Sequence, residues 1–294
     1  MRTLNSYLRQ RFGKKLYKIP VNAGMTCPNR DGTLGTRGCI FCSGSGSGDF
    51  AGDPALGITA QIADGIRRIR EKLPKEEVGY IAYFQAFTNT YAPVSRLREL
   101  YLEALSCPGV EVLSIATRPD CLGEEVLDLL SEMNRIRPVW VELGLQTIHE
   151  RTAAYIRRGY PLEAYDEAVR NLKARGIETI VHVILGLPGE TREEMIETAR
   201  YVGESGAEGI KLQLLHVLKG TDLAAEYEAG RFPCLTEDAY IDLLKEILQV
   251  LPEDLVVHRL TGDGDKKLLI APLWSGDKKH VMNRIRRELD LEKR

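Results

Sequence analysis

The chain has 294 residues, 44% hydrophobic and 28% charged, the balance of a globular protein with a large core and not of a disordered or fibrous one. No apolar run approaches the roughly 18 residues of a membrane span, and "MRTLNSYLRQRFGKKLYKIP" lacks the apolar core and cleavage site of a secretion signal, so a cytoplasmic protein without membrane partners is expected. The net charge of -2 conceals two basic ends: Arg2, Arg9, Arg11, Lys14, Lys15 and Lys18 meet no acid, and 278–294 is again mostly basic, which reads as solvated tails or, if the ends meet, as a phosphate-binding surface.

The first strand-like run is "LYKIPVN" (16–22), followed by a Gly-rich loop that holds three of the six cysteines. "ITAQIADGIRRIREKL" is the first long amphipathic stretch. Strand-like runs then recur at 78–87, 110–118, 138–146, 177–187 and 208–218, rich in β-branched and aromatic residues. Helical stretches separate them, and "TEDAYIDLLKEILQVL" follows the last. In "PLEAYDEAVRNLKARG" the apolar stripe is Leu162, Tyr165, Val169 and Leu172, and Gly176 stops the helix. This alternation predicts an α/β fold with a parallel sheet. Six β-α units are too few for a closed eight-stranded barrel, so a partial (β/α)6 barrel is expected over 16–251, with chemistry at the C-terminal ends of its strands. Residues 1–15 read as a basic N-terminal extension and 252–294 as a C-terminal cap and basic tail.

The loop sequence is "TCPNRDGTLGTRGCIFC", placing Cys27, Cys39 and Cys42 with eleven residues in the first gap and two in the second. Clustered thiols in a chain of this kind favour metal or redox use over structural disulfides. Structural zinc wants a fourth Cys or His nearby, and none stands between Gly13 and Glu77. An iron-sulfur cluster with three protein ligands leaves one iron open for another ligand. "GLPGE" (186–190) lacks the Gly-Lys-Ser/Thr ending of a P-loop, which excludes triphosphate hydrolysis on that motif.

With its three cysteines after the first strand of a partial barrel and Phe41 before the last of them, the sequence resembles the radical S-adenosylmethionine (SAM) superfamily. The long first gap departs from the commonest spacing and is similar to the Elongator catalytic subunit and the YtqA/YhcC-type radical SAM proteins. The resemblance implies a [4Fe-4S] cluster on Cys27, Cys39 and Cys42, completed by SAM. It implies reductive cleavage of SAM to methionine and a 5′-deoxyadenosyl radical, fed by a donor such as flavodoxin or ferredoxin.

The resemblance also implies SAM contacts at strand ends: Phe41; Gln85, Thr88 and Asn89 in "QAFTNTY", which lacks the glycines usual there; Thr117; Glu142 and Gln146 in "ELGLQT"; Arg158; and His182 in "HVILGLPGET". A guanidinium at 158 suits a carboxylate. His216, Asp263, Asp265 and Trp274 are as well explained by packing as by a substrate pocket, and Cys107, Cys121 and Cys234 read as packing residues. For substrate, the Elongator-like motif and basic ends point to a tRNA base of the wobble-uridine kind. A small metabolite or peptide is the alternative, and a non-catalytic metal-binding RNA module is the alternative from another class.

Overall fold

The computed structural model describes residues 1–46, 48, 51–73, 76–262 and 264–289. In chain order the elements are β1 (Arg2–Thr3), α1 (Leu4–Phe12), β2 (Lys15–Val21), α2 (Ile58–Lys72), β3 (Val78–Phe84), α3 (Val94–Ser106), β4 (Val110–Thr117), α4 (Glu124–Ile136), β5 (Val139–Gln146), α5 (Glu150–Tyr155) and α6 (Leu162–Ala174). They continue with β6 (Glu178–Leu185), α7 (Arg192–Glu204), β7 (Gly209–Leu214), β8 (Val217–Leu218), α8 (Asp222–Glu228), α9 (Glu237–Val250), β9 (Val256–Arg259), β10 (Leu269–Ala271) and α10 (Lys278–Glu288). Eight strands pair in the order β1-β9-β7-β6-β5-β4-β3-β2, all parallel, in a sheet curled into a half barrel. β8 and β10 form a separate antiparallel ribbon. Among the described residues no helix is long and apolar enough to cross a membrane.

The six expected strands are β2 to β7, and β1 and β9 extend the sheet beyond them. Residues 1–15, read from the sequence as an extension, hold β1 at the sheet edge and α1 beneath the barrel; likewise β9, inside the expected cap, is part of the sheet. The reason is visible in α1: Leu4, Tyr7, Leu8 and Phe12 recur at helical spacing among the charges and pack inward. Thr3 caps its N-terminus by accepting from the Ser6 N–H, and Gly13 ends it in the left-handed region at φ 71°. Of the cations in this segment, Arg11 of α1 pairs with Glu178, Arg2 of β1 donates to Gln10, and Lys14, just beyond the helix, pairs with Glu111.

Strand periodicity divides the lumen into layers, since every second side chain points inward. At the bottom lie Leu16, Ile81, Val112, Trp140 and Ile180, closed from below by Leu8. Two residues further along the same strands the lumen becomes polar: Lys18, Tyr83, Ser114, Glu142 and His182, joined by Lys211 from β7 and Arg259 from β9. Two residues beyond that, Gln85, Ala116, Gly144, Ile184 and Gln213 reach the rim. The opposite strand face, including Val21, Phe84, Ile115, Val141 and Leu143, packs under the helices with Leu97, Tyr101, Leu130 and Leu172. Burying each such large apolar side chain contributes about 1.5–3 kcal/mol.

Candidate active site

The cysteine loop joins β2 to α2 and covers the C-terminal ends of the strands. Its long insert folds on itself: the Pro28 carbonyl accepts from Leu34 N–H at 2.8 Å, and Asn29 carbonyl from Gly38 N–H at 2.8 Å. Gly38 adopts φ 74°, and a Cβ there would lie 2.8 Å from Arg30 Nε. That guanidinium in turn donates to the carbonyls of Cys42 at 3.0 Å and Ser43 at 2.7 Å, clipping the two ends of the loop together. Asn29 Nδ2 donates to the Arg157 carbonyl at 2.8 Å and approaches Cys39 Sγ at 3.4 Å. Cys27, Cys39 and Cys42 thereby line one cleft. Burial pushes the Cys39 thiol up to about 11, with Cys42 adding to the effect. Among the described residues no three His, Cys, Asp or Glu side chains form the compact group that holds a single ion, as tetrahedral zinc requires.

The cleft, open to solvent on one side, spans about 900 Å³ between the loop and the ends of β3, β4 and β5. Among the described residues the non-glycine positions in the left-handed region are Ala86 at φ 76°, Phe87 at 61°, Gln146 at 70° and Arg157 at 57°, all in or beside this cleft. Each such position costs about 1–3 kcal/mol, and such strain gathers at functional sites. Ala86 and Phe87 stand in the turn where glycines were missed in the sequence, so the turn keeps a glycine-like backbone without them. Gly46 leaves room for the Phe87 ring, which would lie 2.4 Å from a Cβ there. A register shift between Gly144 and Gln146 turns Gln146 into the cleft, where its Oε1 is buried without a hydrogen-bond partner.

Of the expected site residues, Phe41, Gln85, Thr88, Thr117, Glu142, Gln146, Arg158 and His182 line this cleft with the cysteines. Asn89 lies beneath it, its amide donating to the carbonyls of Ala86 at 3.1 Å and Ala116 at 3.0 Å, which makes it a strut for the strained turn. Arg158 is 2% exposed and already bound: it donates to the carbonyls of Tyr160 at 3.0 Å and Thr147 at 2.6 Å and to Glu150 Oε1 at 2.7 Å. Arg118 is likewise held, by both oxygens of Asp120 and the Arg158 carbonyl. His216 lines the adjoining cavity. Asp265 caps a turn through Lys267 N–H, and Trp274 donates to the Leu235 carbonyl at 3.0 Å; Asp263 lies outside the described residues.

Beneath the cleft, the polar layer centres on Glu142, whose side chain is 0% exposed. Oε1 accepts from Lys18 and from Ser114 Oγ at 2.7 Å; Oε2 accepts from Lys211 and from His182 Nε2 at 2.7 Å. Burial alone would raise its pKa, but Lys18 and Lys211, with the His182 bond, hold it well below the usual carboxylate range. Burial, reinforced by Lys211, lowers His182 to about 4 against the pull of Glu142. The neutral ring then donates from Nε2 and accepts at Nδ1 from Gln213 Nε2 at 3.2 Å. The Lys18 and Lys211 ammonium groups lie 4.6 and 4.7 Å from the Tyr83 ring centroid. Glu142 is thus the charge centre of the lumen with neutral His182 bonded to it, and Lys18, Ser114 and Lys211, its other partners, were not singled out from the sequence, nor were Tyr83 and Arg259 beside them.

A half barrel with three cysteines in the loop after β2 and a strained, polar rim is a fold-and-site combination with a family. Residues 32–202 match the Radical SAM superfamily and residues 207–290 the Radical_SAM C-terminal domain, and the chain belongs to that superfamily. Within it, the chain is a radical SAM enzyme of the YtqA/YhcC type. YtqA of Bacillus subtilis (strain 168) is 47% identical over 288 residues, covering 98% of this chain and 89% of its own length. The tRNA uridine(34) acetyltransferase of Methanocaldococcus jannaschii is 26% identical over 154 residues, covering 51% of this chain and 28% of its own. The solved structure of the archaeal Methanocaldococcus infernus Elp3 superposes with a TM-score of 0.67 at 16% identity over 92% of this chain and 63% of that one, a likeness of fold.

Proposed function

We propose that Cys27, Cys39 and Cys42 hold a [4Fe-4S] cluster, that SAM occupies the cleft beside them, and that the enzyme modifies a tRNA base of the wobble-uridine kind. The observation that carries the cofactor reading is the convergence of the three thiols on a cleft that also holds the orphaned Gln146 Oε1 and the strained Ala86–Phe87 turn. A buried acceptor without a donor costs about 1–3 kcal/mol, and an ammonium or ribose hydroxyl of SAM satisfies it. When bound, the reduced cluster supplies the electron that splits the SAM sulfonium into methionine and a 5′-deoxyadenosyl radical.

This chain's residues do the rest. Asn29 and Arg30 fix the loop so that the thiols face inward, and Asn89 braces the turn. Gln85, Thr88, Thr117 and Gln146 offer polar contacts along the cleft, and Phe41 contributes an apolar wall. Arg158 positions the segment 147–160 through two carbonyls and Glu150, and so shapes the cleft without lending a free fork. Glu142, held by Lys18, Lys211 and neutral His182, sets the charge of the lumen below.

The tRNA reading is supported by sequence similarity to a tRNA uridine(34) acetyltransferase and by the fold shared with Elp3. Anaerobic reconstitution with iron and sulfide, a strong reductant or flavodoxin, and SAM is expected to yield 5′-deoxyadenosine. Nucleoside mass spectrometry of tRNA from cells with and without the gene is expected to differ at one modified uridine. Unchanged nucleosides with SAM cleavage intact overturn the tRNA reading in favour of a small metabolite or peptide; a protein that binds only zinc and leaves SAM whole overturns the cofactor reading.

A further inference from the structure

Beside the cysteine cleft, on the β6 to β9 side of the lumen, lies a second cavity of about 1360 Å³. It shares Phe41, Tyr83, Gln85, Gln146 and His182 with the first, so the two are compartments of one chamber. Its wall carries Lys18, Lys211 and Arg259, and among its described lining residues there is no acid. Among the described residues the carboxylate that meets these cations is Glu142, whose two oxygens are taken by Lys18, Ser114, Lys211 and His182. Among the described residues Lys18 and Lys211 share that one anion, and Arg259 is left over. Arg259 stands opposite Lys211 in the pairing of β9 with β7. Among the described residues its guanidinium makes no hydrogen bond and no ion pair, whereas Arg30, Arg118 and Arg158 around the first compartment are all engaged.

A half-buried guanidinium set beside a buried ammonium meets like-charge repulsion, which an oxyanion between them relieves. A planar fork of N–H donors fits a carboxylate or phosphate edge-on, and the low local dielectric strengthens the match. We propose that Arg259, backed by Lys211 and Lys18, forms an oxyanion subsite that receives a carboxylate or phosphate group of the substrate and so holds the carbon attached to it against the cysteine cleft. The subsite rests on the radical SAM reading only for what lies next door, since its own chemistry is that of anion capture. Gln213 and His216 border it and add polar contacts.

The test uses the reconstituted holoenzyme, wild type and Arg259→Gln, in thermal-shift titrations with sodium acetate and with inorganic phosphate, at ionic strength held constant with sodium chloride. Among the described residues Arg259 has no partner to lose, so the variant is expected to fold. Its unliganded melting point is expected to match or exceed that of the wild type. Wild type is expected to show a saturable rise with at least one anion, and Arg259→Gln an apparent affinity at least tenfold weaker. Tighter acetate than phosphate identifies a carboxylate-bearing substrate, and the reverse order a phosphate-bearing one. Equal responses in both proteins, or a rise that never saturates, overturn the subsite. Loss of the response under saturating SAM also overturns it, because the site then belongs to the SAM carboxylate. The readout is stability, so a failure to cleave SAM or to modify tRNA leaves this result standing, and the converse holds.

Discussion

Withdrawing the charge of Glu142 probes the lumen network most directly. Glu142→Gln preserves shape but leaves Lys211, whose side chain is 4% exposed, and Lys18, 22% exposed, without their shared anion. Removing one partner of a buried ion pair costs about 3–5 kcal/mol. The cost falls toward the lower end here, because burial already opposes the charge on Lys211 and proton loss offers it an escape. We expect a loss of about 3 kcal/mol at pH 7, shrinking as the pH is raised toward 10. Urea denaturation of the metal-free protein under reducing conditions, followed through the fluorescence of its two tryptophans, Trp140 in the lumen and Trp274, measures it. Lys211→Met alone leaves Glu142 with Lys18, His182 and Ser114 and costs less. In the double variant the unpaired Lys211 charge is gone, so the combined loss falls short of the sum of the singles by about 1–3 kcal/mol. A Glu142→Gln protein within about 0.5 kcal/mol of wild type, or strict additivity in the cycle, refutes the reasoning.

Acid is expected to destabilise the fold through His182: with a folded pKa of about 4 and an ordinary value of 6.5, the unfolded chain binds a proton that the folded chain refuses. The stability is therefore full above pH 6.5 and lost as the pH falls toward 4, by about 3 kcal/mol for this one group. Urea midpoints at pH 7 and 4.5 check it, and His182→Gln flattens the trend to the part that buried His258 retains. Gly38→Ala forces a side chain into a left-handed position against Arg30, costing at least about 1 kcal/mol locally; bound iron after reconstitution drops while far-ultraviolet circular dichroism is unchanged. Cys27→Ala, Cys39→Ala and Cys42→Ala each lower iron and sulfide content and abolish 5′-deoxyadenosine formation, whereas Cys234→Ser retains both.

Strands β2 to β7 were legible because each is a run of apolar and β-branched residues bounded by turns, and the cysteine spacing led to the superfamily. β1 and β9, two and four residues long, leave no periodic trace, and α1 hid its apolar stripe among arginines and lysines. The polar layer was illegible for a different reason. Lys18, Ser114 and Lys211 each look like a stray polar residue in an apolar strand, and only the register of six or more strands aligns them. One signal was available: Tyr83, Ser114, Glu142 and His182 each stand two residues after an inward-facing apolar residue. Arg158 was expected to grip a ligand carboxylate. Its own segment supplies Glu150 and two carbonyls, contacts made by a turn that residue types do not reveal.

The apolar floor of Leu16, Ile81, Val112, Trp140, Ile180 and Leu8 makes the barrel a blind alley. Nothing passes through that floor. A polynucleotide or peptide cannot thread through such a chamber; it must offer one protruding group, tip first. The polar layer lies two strand residues below the rim, roughly 7 Å at about 3.3 Å per residue. A group too short to span that distance stops at the cysteine cleft without reaching the cations, so the depth of the alley acts as a ruler on what can react.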